Sequence, residues 1–265
     1  MEANSYHSGF YFTPSVRNDS LYAMKDAKSP QSSYTFQGLT NTVSLFIEIR
    51  GIGLGRACFA RRAECGFLVS RSLLETAALH SKEVRSEIRK AVKETCSGKS
   101  DISVTFQSAR TELPVTFIDL AKNERFTEPL PTFDALQLKA ELVRKRPKAY
   151  ILPNTCRMQA EKLRALGIEV EEIGKTFTAT VEKYIVTGYK KVTKEWEKIY
   201  PVTVSTRTVK EKKSFPAGCF IIRLSQKNAN LAVTLLEPES VNGFVNFEVI
   251  HTELGKELPI YRKGF

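Results

Sequence analysis

Short runs of apolar residues alternate with polar ones along much of the chain, and one run ends on charges beside a glycine-rich stretch. Residues 42–49, Thr-Val-Ser-Leu-Phe-Ile-Glu-Ile, predict a buried or half-buried strand. Glu48 and Arg50 close this run, and three glycines follow within 51–55. A charge placed there, before a loop that can adopt unusual dihedral angles, is typical of how α/β enzymes present a catalytic group. The alternative is a partly buried ion pair between Glu48 and Arg50 that closes the strand.

The pattern on either side of this run differs. Residues 1–37 show little periodicity and predict a long surface loop, with a short extended piece at 11–13. From Arg56 to Cys96, apolar residues recur at helical spacing with charges on the opposite face. This spacing predicts either one long helix or two helices joined near His80, with an end at Ser97-Gly98.

Strands return after residue 102. Alternation predicts strands at 102–106 and 115–118, and the segment Glu128-Pro-Leu-Pro-Thr-Phe predicts a break. A β-α-β unit follows over 147–173, with Asn154 as helix N-cap and Gly167 as helix C-cap. In such a unit Ile151 and Val170 are expected in neighbouring parallel strands.

The last part of the chain predicts a small, mostly antiparallel sheet. Strand-like segments rich in Thr, Val, Tyr and Lys occupy most of 174–265, with a short helix at 228–236. The predicted fold class is therefore α/β: a partial mixed sheet with a long helix, then the β-α-β unit and the small antiparallel part. We expect two domains, 1–98 and 99–265.

Composition narrows the classes of function. The chain has 265 residues and a net charge of +11, but its basic clusters are spread over the whole length. That spread favours a solvated basic surface over a nucleic-acid groove. Five cysteines without close pairing predict free, mostly buried thiols. No apolar run approaches the roughly 18 residues of a membrane span, and the first residues show no secretory signal.

A family resemblance enters through a specific motif. Residues 38–56, Gly-Leu-Thr-Asn-x-Val-Ser-x-x-x-Glu-x-Arg-Gly-Ile-Gly-Leu-Gly-Arg, resemble the segment that carries the catalytic glutamate in bacterial zinc carboxypeptidases of the carboxypeptidase A type. The resemblance extends from about residue 6 to residue 262. Further segments that fit the same subgroup in order are Arg61-Arg62, Ala77–His80, Arg146–Pro153, Leu166–Ile168, Ala217-Gly218 and Leu235–Ser240.

The resemblance implies a metal and a mechanism. In that family a zinc ion, held by a His-x-x-Glu pair and a later histidine, activates a water molecule, and a downstream glutamate transfers its proton to the leaving amine. Glu48 matches that glutamate, and Tyr34 is the candidate for the tyrosine that the family places upstream of it. The implied cofactor is zinc and the implied substrate is a peptide. The family is usually exported.

The zinc ligands are not evident in this chain. Only 47 residues precede Glu48, and Phe10 stands where His7 would need a carboxylate for His-x-x-Glu. His80-Ser-Lys-Glu83 matches literally, but it follows Glu48 on a charged helix, which indicates a chance match. His251 is expected on an edge strand. The chain thus resembles a C-terminal portion, inactive alone: a truncated or split product, a fragment, or a non-catalytic descendant.

The alternative function is binding without catalysis. The β-rich part carries lysine clusters at Lys190–Lys194 and Lys210–Lys213, interleaved with aromatic residues. These could dock an anionic partner such as a cell-wall polymer, a lipid or a nucleic acid. An uncovered sheet edge also predicts self-association or a partner chain.

Overall fold

The computed structural model describes residues 6, 8–25, 29–196 and 198–264, and within them the protein is mixed α/β. That part of the chain holds five α-helices, a four-stranded mixed sheet and a six-stranded antiparallel sheet. The predicted fold class is confirmed. The chain packs as two compact units: unit 1 comprises Met1–Lys28, Leu45–Arg89 and Gln107–Lys139, and unit 2 comprises Ser29–Ser44, Lys90–Phe106 and Ala140–Phe265. The boundary at residue 98 stays a prediction about folding domains.

The four-stranded sheet begins with a hairpin where a loop is predicted. Strand β1 (Phe12–Arg17) pairs antiparallel with β2 (Ser20–Lys25). Asn18 and Asp19 between them have φ of 50° and 57°, the left-handed conformation that a two-residue turn of this kind requires. The prediction of a long loop is therefore wrong for this stretch, because the turn residues, rather than the apolar pattern, specify the hairpin.

The other two strands of this sheet are long. Strand β3 (Ile102–Asp119) and strand β4 (Glu124–Arg144) give the order β1-β2-β4-β3, and β2 runs parallel to β4 at residues 132–134. The predicted break at 128–133 is wrong, since both prolines lie inside β4. Both prolines precede residues 132–134 of β4, where the pairing with β2 begins. Their missing N–H groups are therefore tolerated.

Three helices lie between β2 and β3 in the chain. Helix α1 (Ser33–Leu39) was not predicted. Helices α2 (Phe59–Leu79) and α3 (Ser81–Ser97) meet at His80, which confirms the two-helix alternative. Neither α2 nor α3 has a buried residue, so the apolar spacing marks a face that is exposed in this chain rather than a core.

The predicted strand at 42–49 is absent from the structure. Residues 42–49, all of them described, form no strand and are mostly exposed. Val43 and Leu45 expose about two thirds of their surface. The alternation that suggests a strand is real in the sequence, but the fold offers these residues no neighbouring strand.

The six-stranded sheet forms the centre of unit 2. Its order is β6-β9-β5-β10-β7-β8, with antiparallel pairing throughout. The strands are β5 (Ala149–Leu152), β6 (Glu171–Glu172), β7 (Phe177–Lys191), β8 (Val202–Phe215), β9 (Phe220–Arg223) and β10 (Glu257–Lys263). Strands β5 and β6 run in the same direction, but β9 lies between them. Val170 lies just before β6 and in no strand, and β6 itself does not neighbour the strand of Ile151, so this part of the β-α-β prediction is wrong.

Two helices pack on this sheet. Helix α4 (Arg157–Ala165) follows a 3₁₀ turn at Asn154–Cys156, and α5 (Ala229–Leu236) buries six of its eight residues. Gly167 ends α4 as predicted: its φ is +78°, its N–H donates to the Arg164 carbonyl, and the Ile168 N–H donates to the Leu163 carbonyl. This is a Schellman motif, and Leu163 and Ile168 share its apolar contact within the core.

The five cysteines are free, as predicted, but only Cys156 and Cys219 are buried. Among the described helices, none is both long enough and apolar enough to cross a membrane.

Candidate functional site

The two residues predicted as catalytic lie in separate units. Glu48 is in unit 1 and is exposed, on the irregular segment that replaces the predicted strand. Tyr34 is half-buried on α1 in unit 2. The structure records no ion pair between Glu48 and Arg50, both of which it describes, so the alternative of a buried pair closing a strand is also wrong. The catalytic roles of Glu48 and Tyr34 stay predictions.

The glycines after Glu48 have a local structural cause. One nitrogen of the Arg62 guanidinium, on the first turn of α2, donates to the Gly55 carbonyl at 2.6 Å. A side chain at Gly51 would begin 2.9 Å from the Arg62 Nη1 atom. Gly53 and Gly55 have φ of +75° and +51°. The loop thus folds around Arg62, which explains why glycines are spaced through it.

The histidines do not form a metal site among the described residues. No group of three or more His, Cys, Asp or Glu side chains in that part of the chain could hold a metal ion. His80 pairs with Glu83 at 3.0 Å across one helical turn, with both side chains exposed. His251 lies in an irregular exposed segment, so its assignment to an edge strand is wrong. His7 lies outside the described residues. Within the described part of the chain, the donors therefore do not fit the zinc that the resemblance implies.

A buried ionic network joins five elements of unit 2. Arg144, at the end of β4, bonds the Glu237 carboxylate at 2.9 Å and both oxygens of Glu239 at 2.6 and 2.7 Å. The Tyr150 hydroxyl on β5 donates to Glu237 at 2.6 Å. Arg262 on β10 contacts Glu237 and bonds Glu182 on β7 at 2.8 Å. The Glu237 side chain has no solvent-exposed surface.

The network controls the protonation of its members. Burial alone would lower the pKa of Arg144, but the hydrogen bond to Glu239 and the charges of Glu237 and Glu239 outweigh it and raise that pKa. Burial, followed by the Glu237 charge, raises the pKa of both Tyr150 and Tyr184. Both tyrosines therefore stay neutral, and Arg144 stays charged.

This network gives a structural role to two segments that the sequence identifies only by family resemblance. Tyr150 belongs to the segment 146–153, and Glu237 and Glu239 belong to the segment 235–240, both of which fit the carboxypeptidase subgroup. In the structure these residues hold the sheet to the C-terminal end of α5. Sequence reasoning missed the network. The available signal was two glutamates around Pro238, directly after an apolar helix.

The lysine clusters of the hairpin formed by β7 and β8 are partly neutralised. Lys191 binds Glu248 at 2.8 Å, and Lys213 lies 3.5 Å from Glu211 and 3.4 Å from Glu257. Trp196 stacks on Phe247 with the rings nearly parallel. The hairpin is thus less available to an anionic partner than its sequence indicates.

These features define a mixed α/β protein that has a sealed ionic network and a glycine loop next to an exposed glutamate. Comparison with curated proteins relates it distantly to fungal carboxypeptidases. It is 29% identical to carboxypeptidase 2 of Trichophyton tonsurans over 225 residues, and 28% identical to that of Trichophyton rubrum over the same length. It is 28% identical over 217 residues to a probable carboxypeptidase 2 of Arthroderma benhamiae.

These matches cover 82–85% of this chain, which spans about 42% of the length of the relatives. A match of 225 residues within 265 necessarily includes residues 41–225, and hence Glu48 and its glycine loop. No family model matches the chain, and no solved structure matches it significantly. The relatives are fungal, so the bacterial subgroup and the zinc stay predictions.

Proposed function

We propose that this chain is part of a carboxypeptidase-type hydrolase in which Glu48 is the general base, and that the chain alone does not cleave peptides. The observation that supports this proposal is the distant relationship to carboxypeptidase 2, which includes the segment around Glu48. Glu48 is exposed and is followed by a loop built around Arg62. A carboxylate presented in this way can accept a proton from water and deliver it to a leaving amine.

The described residues supply this base but not the metal-binding groups. We therefore propose that another polypeptide supplies the metal that activates the water. The substrate that the proposal implies is a peptide with a free C-terminal residue. A role for Tyr34 is a separate proposal, and its support is the family resemblance alone.

The inactivity of the chain alone can be tested directly. Purified protein is incubated with blocked dipeptides and added Zn²⁺, and both released amino acid and bound zinc are measured. We expect no release above buffer and zinc well below one equivalent. Hydrolysis that Glu48→Gln abolishes and Glu75→Gln preserves would support Glu48 as the base but overturn the inactivity of the chain.

The role of Glu48 is tested in the relative. In carboxypeptidase 2 of Trichophyton tonsurans, the residue that aligns with Glu48 is changed to Gln, with the residue that aligns with Glu75 as control; a residue other than glutamate at the first position would by itself contradict the proposal. We expect kcat to fall by about 100-fold or more with little change in KM, because a general base acts in the chemical step. An unchanged kcat would remove Glu48 from the proposal.

Docking of an anionic partner on the β-rich part is a second proposal, and its support is the net charge of +11. Because Lys183 and Lys191 already bind carboxylates, we expect only weak, salt-sensitive binding of a polyanion there. Tight binding to heparin that is unchanged between low and high salt would contradict this.

A further inference from the structure

One cavity of unit 2 is lined by cations without acids. It has a volume of about 790 Å³, within the range of small-molecule sites. The described residues that line it include six basic side chains and no acidic one. The basic residues are Lys99, Lys145, Arg146, Lys148, Arg223 and Lys263.

The walls of the cavity are fixed by backbone hydrogen bonds. The Lys148 N–H donates to the carbonyls of Lys263 and Gly264, at 3.0 and 2.9 Å, and the Leu224 N–H donates to the Lys148 carbonyl at 2.9 Å. Gly264 has φ of +72°, and the aliphatic part of the Lys148 side chain packs against it. Three separate segments of the chain are thereby held together, so the backbone positions that carry their cations are fixed relative to one another.

Arg146 lies in the wall as a half-buried cation that binds only neutral groups among the described residues. One nitrogen of its guanidinium donates to the Thr95 carbonyl at 3.1 Å and to the Leu224 carbonyl at 3.2 Å. Burial lowers the pKa of Arg146, because these carbonyls replace water only in part. A buried arginine elsewhere in the same unit, Arg144, has two carboxylate partners instead.

Most of the other cations also lack acidic partners. Arg223 binds Glu171 at 2.6 Å, and Lys263 lies over the Phe177 ring. For Lys99, Lys145 and Lys148 the structure records no ion pair with any described residue. Cations gathered in a concave site without compensation raise the local concentration of anions.

We propose that this cavity binds a small molecule that carries two or more phosphate groups. A single anionic group would reach the cations of one segment, whereas a diphosphate can contact cations from several segments at once. Lysines act as point charges for phosphate oxygens, and Arg146 adds a planar donor. This ligand is independent of the proposed peptidase role, because none of the cavity residues belongs to the segment around Glu48.

The probe is inorganic pyrophosphate, added to the full chain at constant ionic strength and followed by isothermal titration calorimetry. The cavity variant is Lys99→Gln with Lys145→Gln, which removes two exposed cations. The control is Lys190→Gln with Lys212→Gln, which removes two exposed cations from β7 and β8 in the same unit. Circular dichroism and thermal unfolding confirm that all variants fold.

We expect saturable binding at about one equivalent, weakened about tenfold or more in the cavity variant and less than twofold in the control. No saturable binding would overturn the proposal. Equal weakening in both variants would also overturn it, because it would indicate a general effect of net charge. A single-stranded oligonucleotide that binds much more tightly, and with equal sensitivity in both variants, would assign the basic surface to nucleic acid instead.

Discussion

Asp134 is a buried carboxylate of unit 1. It bonds Lys25 at 3.0 Å and accepts the Leu136 N–H at 2.9 Å, and its side chain is almost fully buried. Removing one partner of such a pair leaves the other charge uncompensated, so we expect Asp134→Asn to lower the free energy of unfolding by about 3 kcal/mol. Urea denaturation followed by circular dichroism measures this. The control, Glu75→Gln, breaks an exposed pair with Arg71 and should cost less than about 0.5 kcal/mol.

The same residue predicts how stability depends on pH. Burial alone would raise the pKa of Asp134, but the bonds from Lys25 and the Leu136 N–H outweigh it and leave that pKa lowered. A lowered pKa in the folded state contributes stability that is full above the unfolded value of about 3.9 and is lost as pH falls through the folded value. We therefore expect Asp134→Asn to flatten the loss of stability below about pH 4. If Asp134→Asn leaves the loss of stability at acid pH unchanged, this expectation is wrong.

Glu237 is a buried carboxylate of unit 2 with charged partners, as Asp134 is in unit 1. It sits between Arg144, Arg262 and Tyr150 with no exposed surface. We expect Glu237→Gln to cost about 3 kcal/mol, because Arg262 then loses one of its carboxylate contacts in a dry environment. Glu172→Gln, which breaks the exposed pair with Arg157, is the control and should cost less than about 1 kcal/mol. Equal losses in both variants would mean that the network does not stabilise the unit.

At the scale of elements, the glycine loop before α2 gives a prediction about backbone strain. Gly55 has a left-handed φ, whereas Gly9 does not and has no atom near a would-be Cβ. Gly55→Ala should therefore destabilise the protein by about 1–2 kcal/mol, and Gly9→Ala should change it little. Both positions lie in unit 1, and thermal unfolding of the two variants measures the difference in stability. Similar midpoints would show that the loop relaxes without strain.

The elements also show how far sequence pattern reaches. Local signals are sufficient for the join at His80, the short helix α5 and the cap at Gly167, because spacing and capping residues act within a few positions. Residues 42–49 carry the same alternation as a strand, yet no strand pairs with them. Strand β9 comes between β5 and β6 although it begins 48 residues after the end of β6 and 68 residues after the end of β5. Such partners are set by long-range packing, which periodicity does not contain.

The candidate sites, like the elements, are only partly predictable from the sequence. The motif around Glu48 is visible in the sequence, and so are the glutamates of 235–240, but their surroundings are not. Only the fold shows that Glu48 is exposed and Glu237 sealed. The six cations of the cavity come from four separate stretches of sequence, so no single basic run predicts the cavity.

At the scale of the whole molecule, the lysines of β8 and the face of α2 have opposite effects on association. Strand β8 is an edge of the six-stranded sheet, and its charged side chains, Lys210, Lys212 and Lys213 among them, oppose edge-to-edge pairing. Helix α2 instead exposes Phe59, Phe67 and Leu74, each by more than 60% and all within about 80° around the helix. An exposed apolar stripe of this kind promotes association. We therefore attribute the expected self-association to α2 rather than to the edge at β8.

Sedimentation velocity over a range of concentrations tests this attribution. We expect the weight-average mass to rise above the 29.9 kDa of a single chain as concentration increases. Phe67→Glu with Leu74→Glu should return it toward that mass, because two charges on the stripe must be desolvated for helices to pack. Leu120→Glu, at an exposed turn residue outside α2, should leave association unchanged. A single 29.9 kDa species at every concentration would mean that the α2 stripe remains solvated in the isolated chain.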